Sequence, residues 1–503
     1  MTNVETSIAK QPAQGTIGPS RLPMRISERR LILAGLDLAA LISALVLALT
    51  LRSDYQFGTQ LVTQHIFWYV SLAAIWFLLA DAFDAYDLQV SSKLSLVIPA
   101  LLKTVLLTTL MHLLMPILSP PWPASWGAFF VFPLLALALV TVGRGLYLLV
   151  LDQPVFQRRV LIVGAGWAGR TIAEVLEKNG NGTYELVGFV DDDPEKLGKA
   201  VLGRQGEEEM ERVGDAPPHP LTPSPKVLDD RTALSNLIAH HQINTLVVAI
   251  TDEVDGELLQ TLTDCLEHGV NILPMPVIYE KLTGRVPVHH VGENWYVAMP
   301  LHHPGTGALR PLVNRLFDLV SAGLGALCLG LALPFIAAAI YIDSPGPIFY
   351  TQERVGKGGK HFKVYKFRSM IPNAEKQGKA VWAKENDDRV TRVGRILRKM
   401  HIDEFPQFVN ILKGEMSAVG PRPERPEFVQ ELAEEIPFYR VRHAVKPGMA
   451  GWGLVKQGYG SSKEDAMLKL QYDLYYIKHQ SLWMDLVILL KTVADTLTFG
   501  GRA

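Results

Sequence analysis

Two adjacent carboxylates, Asp403 and Glu404, directly follow three arginines spaced three apart, Arg392, Arg395 and Arg398. Guanidinium groups present forked donors that match phosphate oxygens. A carboxylate beside them suits either of two tasks. It can hold Mg²⁺, which takes one or two carboxylates plus substrate phosphates, or it can attack a substrate and carry a covalent intermediate. Further on, Gly420-Pro421-Arg422-Pro423 fixes another arginine between two prolines in a stiff turn. The same residue types also describe a solvated surface helix, and spacing alone leaves the two readings open.

Several elements must position these groups. Val393, Ile396, Leu397 and Met400 recur at helical spacing. They predict a basic amphipathic helix that packs on a core or lies at a membrane surface. A second helical pattern runs from Phe405 to Leu412 and stops at Gly414. Neighbours on a helix point about 100° apart, so Asp403 and Glu404 would approach one ligand from different sides. Upstream, Ile348–Tyr350 and Phe362–Phe367 read as short strands joined through Gly356 to Gly359, with the lysines and Arg368 on one face toward phosphates or head groups. Residues 373–388 read as a surface loop.

Four segments occur in a fixed order: SPGPIFYTQERVG from Ser344, KVYKFRSM from Lys363, HIDEFPQFVNILKGEMSAVGPRP from His401, and VKPGMAGW from Val445. Together they resemble the bacterial sugar transferase family, the monotopic polyprenyl-phosphate phosphoglycosyl transferases, over roughly the last 190 residues. The resemblance implies transfer of hexose-1-phosphate from a UDP-sugar, glucose or galactose first, to undecaprenyl phosphate with release of UMP. It implies that Asp403 is the nucleophile, that Glu404 with Asp403 holds Mg²⁺, and that Arg398, Arg422 and Arg368 bind phosphate. It also implies a first membrane step of exopolysaccharide or O-antigen synthesis.

Bulk composition sets wider bounds on the whole chain. The chain has 503 residues, a net charge of −1 and 48% hydrophobic residues. Length predicts about three domains, the balanced charge gives no indication of a nucleic-acid partner, and the apolar content predicts membrane segments. Cys265 and Cys328 have no ligand or disulfide spacing. Residues 1–30 read as a disordered tail. Residues 31–150 carry four apolar runs, Leu31–Leu51, His65–Ala80, Leu96–Leu118 and Trp126–Val150, expected as four transmembrane helices. Arg21, Arg25, Arg29 and Arg30 before the first run put the N-terminus in the cytoplasm, and Arg144, Arg158 and Arg159 mark the return inside; the resemblance implies the bacterial inner membrane. Asp37, inside the first run, is expected to make a helix–helix hydrogen bond or to serve a functional site.

Residues 155–308 alternate strand and helix. Arg159–Val163 leads into Gly164-Ala165-Gly166-Trp167-Ala168-Gly169, the strand–turn–helix setting of a dinucleotide fingerprint. The reading is a cytosolic α/β Rossmann-like domain with an insertion near 203–226. Its glycines Gly164, Gly166 and Gly169 either bind a nucleotide or serve helix–strand packing. Large members of the resembled family carry a comparable CoA-binding-like domain, which also makes a homodimer an expectation. An NAD(P)-dependent nucleotide-sugar oxidoreductase and a non-catalytic assembly scaffold are the alternatives. The Tyr459/Lys463 pair lies in a Gly/Ser loop far from the glycine turn.

The segment 309–503 forms the expected catalytic domain. Leu319–Ile342 is uncharged and long enough to span a bilayer. Basic residues flank both ends, so both ends should stay on one side. The expected solution is a re-entrant helix over 312–342 broken at Pro334, where the resembled family usually has Ser-Pro and this chain has Leu333-Pro334; a full span is the alternative. The fold class expected overall is membrane α+β: a four-helix transmembrane bundle, the Rossmann-like domain and a monotopic catalytic domain on the lipid bilayer.

Overall fold

Long uncharged apolar runs satisfy their backbone groups internally as helices. α1 (Ile26–Leu51), α2 (Ile66–Ala82), α3 (Leu94–Leu113) and α4 (Trp126–Leu151) arise in this way. In the computed structural model the described residues are 24–51, 59–91, 94–115, 117–121, 126–151, 153–180, 182–201, 225–250, 255–288, 309–372, 374, 387–458 and 462–497. Most of the expected N-terminal tail, most of the 203–226 insertion, Tyr459 and most of the 373–388 loop lie outside them.

The first four helices pack around Leu41, Leu45, Leu72, Trp76, Leu101 and Val140. α1, α3 and α4 are long and apolar enough to cross a membrane, whereas α2 has 17 residues. A helix of that length rises about 26 Å, less than the ~30 Å hydrocarbon core. The fourth long apolar helix lies much later, at Arg310–Asp343. Asp37 accepts from Arg144 Nη2 at 2.6 Å and from the Tyr86 hydroxyl at 2.8 Å. Arg144, expected only as a marker of the cytoplasmic side, is buried and also donates to Ala85 O at 2.9 Å. The tail also ends earlier than expected. Ile26 to Arg30 are helical, and buried Arg29 donates to Phe156 O at 3.0 Å, fastening the start of α1 to the next unit.

That unit is a five-stranded parallel sheet of β1 (Arg158–Val163), β2 (Tyr184–Val190), β3 (Val227–Asp229), β4 (Thr245–Val248) and β5 (Asn271–Pro274), in the order β3-β2-β1-β4-β5. Side chains alternate across β1. Val160 and Ile162 pack with α5 (Trp167–Asn179) and α8 (Met275–Thr283). Leu161 and Val163 pack on the other face, against Leu234 of α6 (Leu234–His241) and Leu258 and Leu262 of α7 (Gly256–Glu267). Helices on both faces explain why the strand is continuously apolar.

The remainder begins with α9 (Arg310–Asp343), a single helix of 34 residues with Pro334 inside it. The break expected at Pro334 is therefore not a break in the helix. A proline removes one hydrogen bond and crowds one carbonyl, but opening further turns among apolar surroundings would leave more backbone groups unpaired. Both ends of α9 rest on the same part of the chain. Arg315 donates to the carbonyls of Ile411 and Leu412, each at 2.7 Å, and Asp318 accepts from Ala418 N at 2.8 Å. At the far end Asp343 accepts from Val393 N at 2.8 Å. Between these anchors Leu324, Leu327, Leu331 and Phe335 are exposed.

β6 (Phe349–Val355) and β7 (His361–Phe367) form an antiparallel hairpin across Gly356–Gly359. They are followed by α10 (Arg392–Lys399), α11 (Phe408–Lys413), β8 (Ser417–Val419), α12 (Pro426–Glu435), β9 (Gly448–Ala450), α13 (Trp452–Gln457), α14 (Lys463–His479) and α15 (Leu482–Leu497). β8 and β9 pair in parallel, and α12, α14 and α15 close a core over them around Val419, Leu432, Leu470, Leu474 and Ile488.

Candidate active site

The carboxylates do not sit on a regular α-helix. Thr391 caps α10 by accepting from Gly394 N at 3.0 Å. The helix stops at Lys399, and His401 takes the left-handed conformation at φ 55°. The chain then makes a 3₁₀ turn over Ile402–Gln407 before α11 starts. A 3₁₀ turn has three residues per turn, so consecutive side chains diverge by about 120°. Asp403 and Glu404 therefore point into different surroundings, although each is 9% exposed or less.

Glu404 is held by two cationic side chains. Lys366 Nζ on β7 donates to its Oε1 at 2.8 Å. Arg422 forks onto it, Nη1 reaching Oε2 at 2.9 Å and Nη2 reaching Oε1. Burial alone would raise its pKa, but Arg422 and then Lys366 hold the carboxyl well below the usual range. Asp403 receives no hydrogen bond from the described residues. Burial, and then the neighbouring Glu404 charge, push its carboxyl up to about 6. Arg398 and Lys366 add positive charge nearby. Among the described residues, buried Arg398 Nη1 has no hydrogen-bond partner. A buried donor left without a partner is costly unless a ligand answers it.

A buried layer keeps Arg422 in place. Arg442 donates to Arg422 O at 3.0 Å, to the Tyr439 hydroxyl at 2.7 Å and to Asp473 Oδ2 at 2.7 Å. Arg354 donates to Pro423 O at 3.1 Å, and Gly448 N donates to Pro421 O at 2.9 Å. Next to this layer, burial and then Arg442 push the His443 imidazole down to about 4, so it is neutral at pH 7.

Of the expected phosphate ligands, Arg398 and Arg422 therefore lie with the carboxylate pair. Arg368 does not: it donates to Ser344 O and, at 3.4 Å, to Pro345 O, under the end of α9. Nor do the hairpin lysines share one face. Lys363 and Lys366 are three apart on a strand of period two, so only Lys366 shares a face with Arg368. The sequence places Lys366 only among the hairpin lysines facing phosphates, and it gives Tyr439 and Asp473 no site role. The odd separation of Lys363 and Lys366 was the readable signal for the first; nothing local points to the other two.

Mg²⁺ favours a few carboxylate oxygens completed by phosphate oxygens. The three named donors leave Glu404 room at Oε2, since an ionised carboxylate has about four acceptor positions, and Asp403 remains open. The pair thus fits such an ion with substrate present. Among the described residues no cluster of three or more His, Cys, Asp or Glu gathers at ligand distance.

The glycine turn is differently occupied. Ala165 N, which would face a nucleotide phosphate, donates to Asp191 Oδ2 at 2.7 Å. Lys196 Nζ also pairs with Asp191 at 3.1 Å. Gly164 has φ +103°, and a Cβ on Gly169 would come within 2.0 Å of Gly164 O, so both serve the turn and its packing. Around Gly166 there is open space.

Residues 309–499 match the family described as bacterial sugar transferase, and residues 159–216 match the PglD N-terminal domain. Over 259 residues the chain is 42% identical to the UDP-N-acetylgalactosamine-undecaprenyl-phosphate N-acetylgalactosaminephosphotransferase of Aeromonas hydrophila, covering 50% of this chain and 58% of that protein. It is 39% identical over 202 residues to the UDP-glucose:undecaprenyl-phosphate glucose-1-phosphate transferase of Escherichia coli K12, covering 40% of this chain and 43% of that one. The matched segments thus span about half the length of these two relatives. The exopolysaccharide production protein PSS of Rhizobium leguminosarum bv. phaseoli is 40% identical over 194 residues, 38% of this chain and 97% of its own length. On the strength of a match that takes in nearly a whole relative, this chain belongs to the bacterial sugar transferase family.

Proposed function

We propose that the protein transfers a sugar-1-phosphate from a UDP-sugar to undecaprenyl phosphate in the membrane, releasing UMP, through a covalent intermediate on Asp403. The observation that carries this reading is the unequal environment of the two carboxylates. Glu404 is tied to Arg422 and Lys366 and is a poor nucleophile. Asp403 accepts no such bonds, and with a carboxyl near 6 it is mostly ionised at pH 7. An Asp403 oxygen attacks the sugar-bearing phosphorus, and the bond to the bridging oxygen breaks as UMP leaves with that oxygen. An oxygen of the lipid phosphate then attacks the same phosphorus, and the bond to Asp403 breaks, restoring the carboxylate. Arg398, with its unpaired donor, and Arg422 balance charge developing on the phosphoryl oxygens. Mg²⁺ held by Asp403 and Glu404 would offset the charge of the diphosphate.

A soluble donor and a lipid acceptor meet only at an interface. The two ends of α9 contact one unit, and its middle is apolar and exposed. This supports an unbroken helix held at both ends against the catalytic part and set into one leaflet, with the catalytic part on the cytoplasmic face. The sheet order supports a Rossmann-like domain, with Asp191 occupying the turn amide that a pyrophosphate would need. The relatives named for N-acetylgalactosamine and for glucose place both sugars in the donor test. The full chain, with undecaprenyl phosphate and a panel of UDP-sugars, should release UMP with one donor strongly preferred and should stop when Mg²⁺ is chelated. Failure of every donor would contradict the reading.

A further inference from the structure

Next to the carboxylate turn lies an apolar cavity of about 460 Å³. That volume suits a small-molecule segment rather than a whole long lipid. Glu404 lines it, and so do Gly325 of the membrane helix α9, Phe408 of α11, Val455 of α13 and Leu489 of α15. The cavity therefore joins Glu404, the neighbour of Asp403, to the helix whose exposed leucines suit lipid. A Cβ on Gly325 would come within 2.4 Å of the Phe408 ring, so the glycine is what lets that ring form the wall. The phosphate-binding groups Arg398 and Arg422 suit the charged parts of both substrates. An apolar cavity suits neither a uridine diphosphate nor a sugar.

The far wall is fastened from the transmembrane bundle. Asp84, in the turn after α2, accepts from Lys456 Nζ at 3.2 Å and from Lys491 Nζ at 2.5 Å. These lysines neighbour Val455 on α13 and Leu489 on α15. Trp483, at the start of α15, donates to Asp81 at 2.7 Å. A single turn of the bundle thus fixes both helices that close the cavity.

We propose that this cavity binds the phosphate-proximal isoprene units of the lipid acceptor, and that Asp84 is a positioning residue holding its wall. The inference rests on the acceptor assigned under Proposed function. A hydrocarbon seated here carries its phosphate to Asp403, while the rest of the chain continues into the bilayer along α9.

Two measurements on the full chain in nanodiscs test it. Val455→Trp fills the cavity. It should raise KM for undecaprenyl phosphate at least tenfold and leave KM for the UDP-sugar within about twofold. Asp84→Asn should raise the acceptor KM in the same direction by a smaller factor. Unchanged acceptor kinetics in a folded Val455→Trp protein would overturn the proposal. The second measurement needs no turnover. Leu489→Cys, in a Cys328→Ser background, is labelled with a maleimide. Farnesyl phosphate should slow labelling at least fivefold, and inorganic phosphate should not. Equal protection by added phosphatidylglycerol assigns the cavity to bulk lipid and overturns the proposal, as does no protection by farnesyl phosphate. Protection in a protein that releases no UMP would leave the cavity assignment standing and remove the transfer reaction instead.

Discussion

At the scale of residues, the proposed division of labour between Asp403 and Glu404 rests on who donates to whom. Arg422 is the group that ties up Glu404 and is proposed to bind phosphate. Arg422→Ala should lower kcat about 10²–10³-fold, the usual effect of losing one fixed donor to developing negative charge. Arg422→Lys should recover only part, because an ammonium cannot reproduce the fork onto Glu404. Steady-state UMP release reads both. Behind it, Arg442 and Asp473 are nearly fully buried as an ion pair at 2.7 Å. Arg442→Ala should destabilise the protein by about 3–5 kcal/mol, since Asp473 is left charged and unpaired. Thermal unfolding would show it as a large drop, and an unchanged midpoint would remove Arg442 from the account. These pairings were not legible in sequence. Lys366 and Glu404 are 38 residues apart and Arg442 and Asp473 are 31 apart, and local spacing carries no record of such contacts.

At the scale of elements, local patterns served well where the physics is local. The continuously apolar run Val160–Val163 became a central parallel strand, and the hairpin formed across Gly356–Gly359. The helical pattern from Phe405 was only partly realised. Pro406 and the turn at His401 favoured a 3₁₀ segment first, and this segment carries the two carboxylates. The glycine turn offers a clean contrast. Gly169→Ala should cost about 1–3 kcal/mol, because its Cβ would strike the Gly164 carbonyl. Gly166→Ala meets open space and should cost under about 1 kcal/mol as an N-cap change. Comparing thermal midpoints of the two variants tests whether packing governs the turn; equal losses would count against it.

At the scale of the whole molecule, the units are tied together by polar contacts between described residues distant in the chain. Lys478 donates to Glu280 at 2.8 Å between α14 and α8, and Lys491 reaches Asp84 across 407 residues of chain. Within the bundle, Asp37 and Arg144 form a pair with 1% of each side chain exposed. Asp37→Ala should lower the unfolding midpoint in detergent sharply, on the order of 3–5 kcal/mol, by stranding the guanidinium. Asp37→Ala combined with Arg144→Leu should recover much of the loss. A double variant no better than the single one would show that the pair is not coupled.

The central claim is that Asp403 carries the sugar phosphate. The direct test incubates the full chain with its preferred UDP-sugar in the absence of lipid acceptor, then maps peptide masses. The account predicts a hexosyl-phosphate adduct on the peptide containing Asp403. The adduct should be lost on adding undecaprenyl phosphate and should be absent in Asp403→Asn. Full-rate product formation with no adduct, or an adduct on another residue, would contradict it.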